Sequence, residues 1–110
     1  MISIQRLMAI RDALIPLTDN VFHYWRPQMS APYIIWAETS EDDSFHADNL
    51  KAEQAIRGTV DLYSKEEFDP LFDDIQEALN SIDGLGWTLS DAQYEDETGL
   101  IHHTWEWVIV

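Results

Sequence analysis

The sequence predicts an α+β fold, a two-layer α/β sandwich: a mostly antiparallel sheet of about five strands with two helices packed on one face, in the order α-β-β-β-α-β-β. Three observations carry this expectation. Two stretches repeat apolar residues at helical spacing, and five others alternate or cluster β-branched and aromatic residues. No segment shows the repeated strand-helix-strand pattern that builds a parallel sheet. At 110 residues the chain reads as one domain, 1–110, long enough to bury roughly two-thirds of the surface it exposes when unfolded.

Taken in order, Ser3 is placed to cap a first helix in which Ile4, Leu7, Met8, Leu14 and Ile15 follow helical spacing. Pro16 disfavours helical geometry at Ile15 and so should end that helix. "NVFHYW" is rich in strand-favouring residues and is broken by Arg26-Pro27. "PYIIWAE", Pro32 to Glu38, is a second strand whose apolar run implies burial on both faces for part of its length. The polar, acidic "TSEDDSFHADN" reads as a loop. In "LKAEQAIRGTVDLYS", Ile56, Val60 and Leu62 share one side while Arg57, Thr59, Asp61 and Tyr63 share the other, the pattern of a half-buried strand.

Phe68, Leu71, Phe72, Ile75, Leu79 and Ile82 form the apolar stripe of a second helix, with Asp69, Asp73, Asp74 and Glu77 off it. Two starts fit this helix. Ser64 and Glu67 have capping-box spacing, and Asp69-Pro70 would put Pro at the first helical position. Gly84 is the natural stop. Two strands close the chain, Trp87 to about Glu95 and Leu100 to Val110. A three-residue loop, Glu97-Thr98-Gly99, with Gly99 left-handed, would pair Leu89 with Trp107 and Trp87 with Ile109. In that register Tyr94 faces His102 and Gln93 faces His103.

The adjacent His102 and His103 are the most conspicuous candidates for chemistry. Side chains alternate along a strand, so the two imidazoles point to opposite faces and cannot chelate one ion together. Their same-face neighbours, Leu100 and Thr104 for His102 and Ile101 and Trp105 for His103, are poor ligands. The loop acids Glu38, Glu41, Asp42, Asp43 and Asp48, with His46, lack the spacing and central Gly of a calcium loop. There is no cysteine, no nucleophile elbow and no glycine-rich phosphate loop. The expectation is therefore a protein that is not an enzyme and uses no metal or cofactor.

Charge narrows the classes further. Six Lys and Arg against 21 Asp and Glu give a net −15, which repels phosphate and argues against ordinary nucleic-acid binding. Such a surface suits a basic partner, mimicry of DNA, or a passage that nucleic acid crosses without sticking. No uninterrupted apolar run is long enough for a signal peptide or a membrane span. The aromatics Phe22, Tyr24, Trp36, Trp87, Trp105 and Trp107 could instead line a small-molecule pocket, a weaker reading than core or subunit interface.

The ordered set "APYIIWAE", "HADN", "VDLYSKEEFDPLFDDIQEAL" and "YEDETGLIHHTWEW" resembles the small tail-completion, or tail-terminator, proteins of long-tailed bacteriophages. The likeness runs from the first helix to the closing hairpin, in loose patterns rather than catalytic signatures. It implies a virion structural subunit, made in the host bacterial cytoplasm, that assembles as a homo-hexameric ring. Such a ring ends the tail tube and joins it to the head connector protein, with DNA passing through the lumen. Six copies would carry about −90, and lumen-facing acids would keep phosphates from adhering. Glu41, Asp42 and Asp43 are the lumen candidates. Tyr33, Trp36, Tyr94, His102 and Trp105 are the interface candidates, since a closed ring joins two unlike patches. The rival reading is an acidic immunity or DNA-mimic inhibitor that binds a basic enzyme.

Overall fold

A computed structural model describes residues 2–26, 28–42 and 54–110. Helix α1 (Ile4–Leu14) follows an extended Ser3, which makes no side-chain cap bond. Its buried residues are Ile10 and Leu14, one helical turn apart, while Ile4 is exposed. The α-helix ends at Leu14, beside Pro16 as expected, although Ile15 does not leave helical geometry. Ile15 stays right-handed helical, and Ile15–Leu17 add one 3-10 turn with Pro16 in its opening positions. Proline is tolerated at the start of a turn, where its missing N–H needs no partner.

Strand β1 (Val21–His23) is shorter than "NVFHYW" and runs parallel to β2 (Tyr33–Glu41), pairing Val21 with Ile34 and His23 with Trp36. The sheet is therefore mixed. Its order is β1-β2-β3-β5-β4, with β3 (Ile56–Ser64), β4 (Leu85–Glu95) and β5 (Leu100–Ile109) joined by antiparallel ladders. Thr39, Ser40 and Glu41 extend β2 rather than opening a loop, because β3 continues to pair with them through a bulge between Glu38 and Ser40.

The sheet has one covered and one open face. Ile34, Trp36, Val60, Leu62, Trp105, Trp107 and Ile109 alternate onto the covered face and pack with Ile10 and Leu14 of α1 and Ile75 and Leu79 of helix α2 (Leu71–Asn80). The alternation read from β3 holds along its length. Gly58 is the small member of that face: the Trp107 indole lies against it, with the Ala37 carbonyl on its other side.

Of the two candidate starts for α2, the Asp69-Pro70 start is the one formed. Asp69 Oδ1 accepts the Leu71 N–H at 2.9 Å, and Asp69 Oδ2 accepts the Ser64 hydroxyl at 2.6 Å. Ser64 Oγ accepts the Glu66 N–H at 3.0 Å, closing a local turn instead of a capping box. Phe68 consequently falls outside the helix and leaves the apolar stripe. It sits at φ +59 and is 89% exposed.

A left-handed phenylalanine costs about 1–2 kcal/mol, and this side chain recovers none of it by burial. Phe68→Gly is expected to raise the unfolding free energy by about 1 kcal/mol, read as a higher urea midpoint. An unchanged or lower midpoint would show that Phe68 packs in the monomer after all.

The closing hairpin departs from the expected register. Glu95 pairs with Leu100, leaving a four-residue loop, 96–99, closed by the Gly99 N–H on the Glu95 carbonyl at 2.8 Å with Gly99 at φ +70. Gln93 therefore faces His102, and Tyr94 faces Ile101. This loop alone would put Trp87 and Leu89 on the face opposite Trp105 and Trp107. A bulge between Leu89 and Asp91 returns them, so that Trp87 pairs with Trp107 and Leu89 with Trp105. Ser90, at the bulge, donates its hydroxyl to the Thr104 carbonyl at 3.1 Å. The tryptophans share the covered face as anticipated, but two residues out of the anticipated pairing.

Candidate functional site

The structure builds three polar or aromatic clusters, each on a different part of the sheet. On the open face, Tyr33, Tyr63 and His102 stack in a ladder across β2, β3 and β5, with centroids 4.9 and 4.0 Å apart. The Arg26 guanidinium lies 5.6 Å over the Tyr33 ring and donates to its hydroxyl at 2.7 Å. Asp61 Oδ1 lies 2.8 Å from His102 Nε2 and accepts the Thr104 hydroxyl at 2.6 Å. Thr104 and Asp61 thus meet the same imidazole nitrogen, at 3.2 and 2.8 Å, so the trio lacks the two-sided geometry of a nucleophile relay. Burial first, then the Asp61 carboxylate, push the Tyr63 phenol up to about 12, so it stays a neutral hydroxyl.

At the β1 edge, His23 is held between Trp36 and Tyr24, with centroids 3.9 and 4.0 Å away, and its Nε2 lies 2.9 Å from Glu38 Oε1. Tyr24 also donates to Glu38, and that bond holds its phenol above the usual value. The backbone of Tyr24 is left-handed, at φ +74. Beyond it Trp25 is 69% exposed, whereas Trp36, Trp105 and Trp107 are buried.

The third cluster is a cleft of about 510 Å³ where β3, β5 and the start of α2 meet. Leu62, Phe68, Pro70, Phe72 and Ile101 give it apolar walls, while Glu66, Glu67, Asp69 and Asp73 bring acids to its rim. Phe72 packs edge-on to His103 at 4.9 Å and tilts onto Trp105 at 5.3 Å. The register places the 96–99 turn, with Asp96 and Glu97, at this same end of the sheet. Volume and apolar lining suit a large side chain or a small ligand, and the rim favours one that carries positive charge.

His103 lines the cleft, and its Nδ1 is enclosed without a hydrogen-bond partner among the described residues. Burial, and after it the nearby His102, lower its pKa from the ordinary 6.5. The unfolded chain therefore takes up a proton here more readily than the folded one. The stability His103 contributes is present above about 6.5 and is lost as pH falls through the lower folded value. His103→Gln is expected to flatten that part of the pH dependence, measured as urea midpoints at neutral and mildly acidic pH. Parallel profiles for the two proteins would refute it.

The predicted site residues scatter rather than converge. Tyr33, Trp36 and Trp105 are 1%, 4% and 0% exposed, enclosed by the subunit itself and offering no surface to a neighbour. Trp105 Nε1 donates to Gln76 Oε1 at 3.1 Å. Tyr94 is 63% exposed on the arm of the hairpin, and His102 is half-buried in the open-face ladder. Glu41 and Asp42 lie at the end of β2 away from the cleft, where Arg57 approaches Asp42 at 3.7 Å. Asp43, His46 and Asp48 lie outside the described residues. His102 and His103 do point to opposite faces, as alternation requires.

Trp25 and Phe68, which the structure brings to the surface, were read from the sequence as strand and helix stripe. Each had a signal against that reading: Trp25 abuts the Arg26-Pro27 break, and Phe68 precedes the Asp69-Pro70 start. Among the described residues no three His, Asp or Glu side chains are placed to hold a metal ion, and no helix is long and apolar enough to cross a membrane. Compared with known proteins, the chain matches no family model and no curated protein at a significant level.

Proposed function

We propose that the chain is a ring-forming structural subunit of a phage virion, without enzymatic activity, which ends the tail tube and joins it to the head connector. One observation carries the assembly part of this reading. From Thr88 to Tyr94 every side chain of β4 is exposed, whichever face it points to, and β4 is also an open edge of the sheet. An outer strand bare on both faces buries little of its own surface, and an open edge invites another chain. A neighbouring subunit would cover both. The resemblance to tail terminators supplies the identity of the ring, and a net −15 on each subunit suits a lumen that phosphate must not adhere to.

The acidic end around Glu66, Glu67, Asp96 and Glu97 favours a second reading, an inhibitor that docks its carboxylates on a basic enzyme. Sedimentation velocity across a wide concentration range, with electron microscopy of the assembled fraction, separates the two. The ring reading expects a closed hexamer that does not retain DNA. A chain that stays monomeric and binds a basic nuclease with steep salt dependence would overturn it.

A further inference from the structure

We infer that the Tyr24-Trp25-Arg26 corner of one copy inserts into the acid-rimmed cleft of the next, making the head-to-tail contact of the ring. This rests on the ring reading above and adds the two surfaces that meet. Tyrosine, tryptophan and arginine are the residue types that dominate interface hot spots, and here all three are consecutive and exposed. Trp25 is 69% exposed and does not line its own cleft, which lies over β3 and β5. β1 is two strand spacings from β3, about 10 Å in the sheet plane, so the corner and the cleft are separate patches on one subunit. Unlike patches that complement each other generate rings when the rotation closes.

Charge selects the orientation. Arg6 donates to the Val110 carbonyl at 3.0 Å, Arg11 to Asp12 at 2.9 Å, and Arg57 approaches Asp42 at 3.7 Å. Arg26 instead gives its hydrogen bond to the Tyr33 hydroxyl, with Glu95 acting only at longer range. A guanidinium has five donors, so most of its capacity remains for a carboxylate across an interface. With the Trp25 indole between Phe68 and Ile101, Arg26 would reach the rim at Glu66 and Glu67. Both contact surfaces also carry a left-handed aromatic, Tyr24 at φ +74 and Phe68 at φ +59. Strain of that kind persists where a side chain is held out for use.

The test uses the full chain and two variants altered only at exposed positions, each checked for native circular dichroism. Trp25→Ala removes the knob, and Glu67→Lys with Phe68→Ser removes the receptor. Each alone is expected to weaken self-association by about 30-fold or more. Mixed one to one, they should form a heterodimer and nothing larger, because one intact knob meets one intact cleft. If wild type assembles and both variants assemble as tightly, the corner–cleft contact is overturned while the ring reading stands. If wild type is monomeric at every concentration, or if the cleft takes a Lys/Arg-rich peptide from another protein instead, both are overturned.

Discussion

Gly58→Ala is expected to destabilise the fold by about 3 kcal/mol or more, the upper part of the range for overpacking a core. The added methyl would overlap the Trp107 indole on one side and the Ala37 carbonyl on the other. Neither obstacle can give way: Trp107 is 1% exposed, and Ala37 belongs to the central ladder of β2 with β3. Gly86→Ala is the matched control. It lies in a strand with nothing within 4 Å of an added Cβ, so it should be neutral or stabilising by roughly 0.5 kcal/mol. Urea unfolding of the three proteins decides the matter, and equal midpoints for Gly58→Ala and wild type would refute the packing described here.

The second large effect separates two tryptophans that composition cannot tell apart. Trp105→Ala is expected to cost about 3–5 kcal/mol, since Trp105 is fully buried and its removal leaves a cavity beneath Phe72 and an unpaired Gln76. Trp25→Ala should change monomer stability by less than about 0.5 kcal/mol, because little surface is buried there. The two losses should also differ in fluorescence, with Trp25→Ala removing a water-exposed, red-shifted contribution. Because Phe72 rests on Trp105, the first substitution also loosens the floor of the cleft. Comparable unfolding midpoints for the two variants would contradict the burial of one or the exposure of the other.

Much of the fold was legible because its signals are local. The period-two alternation of 56–64 and the three-and-four spacing of 71–82 each report which side of an element is apolar, and the folded chain buries those sides. Gly99 adopts positive φ at the turn read for it. Helix α2, however, already ends at Asn80, and Gly84, also at positive φ, lies in the turn into β4 rather than at the helix stop. The cleft was less legible. Its walls come from β3, the 64–70 turn, α2 and β5, and no short window contains more than part of it. The one misplaced wall residue, Phe68, hung on a choice between two helix starts that local sequence left open. The hydrogen bond from Ser64 to Asp69 settles that choice by joining the end of β3 to the start of α2.

By itself the sequence determined the class, the element order and the buried face of the regularly alternating or helical stretches, such as β3 and α2. Periodicity is a property of neighbouring residues, and no partner is needed to define it. The tertiary structure decided what depends on two elements at once. It made β1 parallel to β2, and it set the β4–β5 register through a four-residue turn offset by a bulge at Ser90. It also chose which tryptophans enter the core: Trp107 fits because Gly58 on the next strand leaves it room, while Trp25, just past the end of β1, is left in solvent. Those outcomes come from steric fit and loop length between distant segments, which a residue's type and near neighbours do not encode.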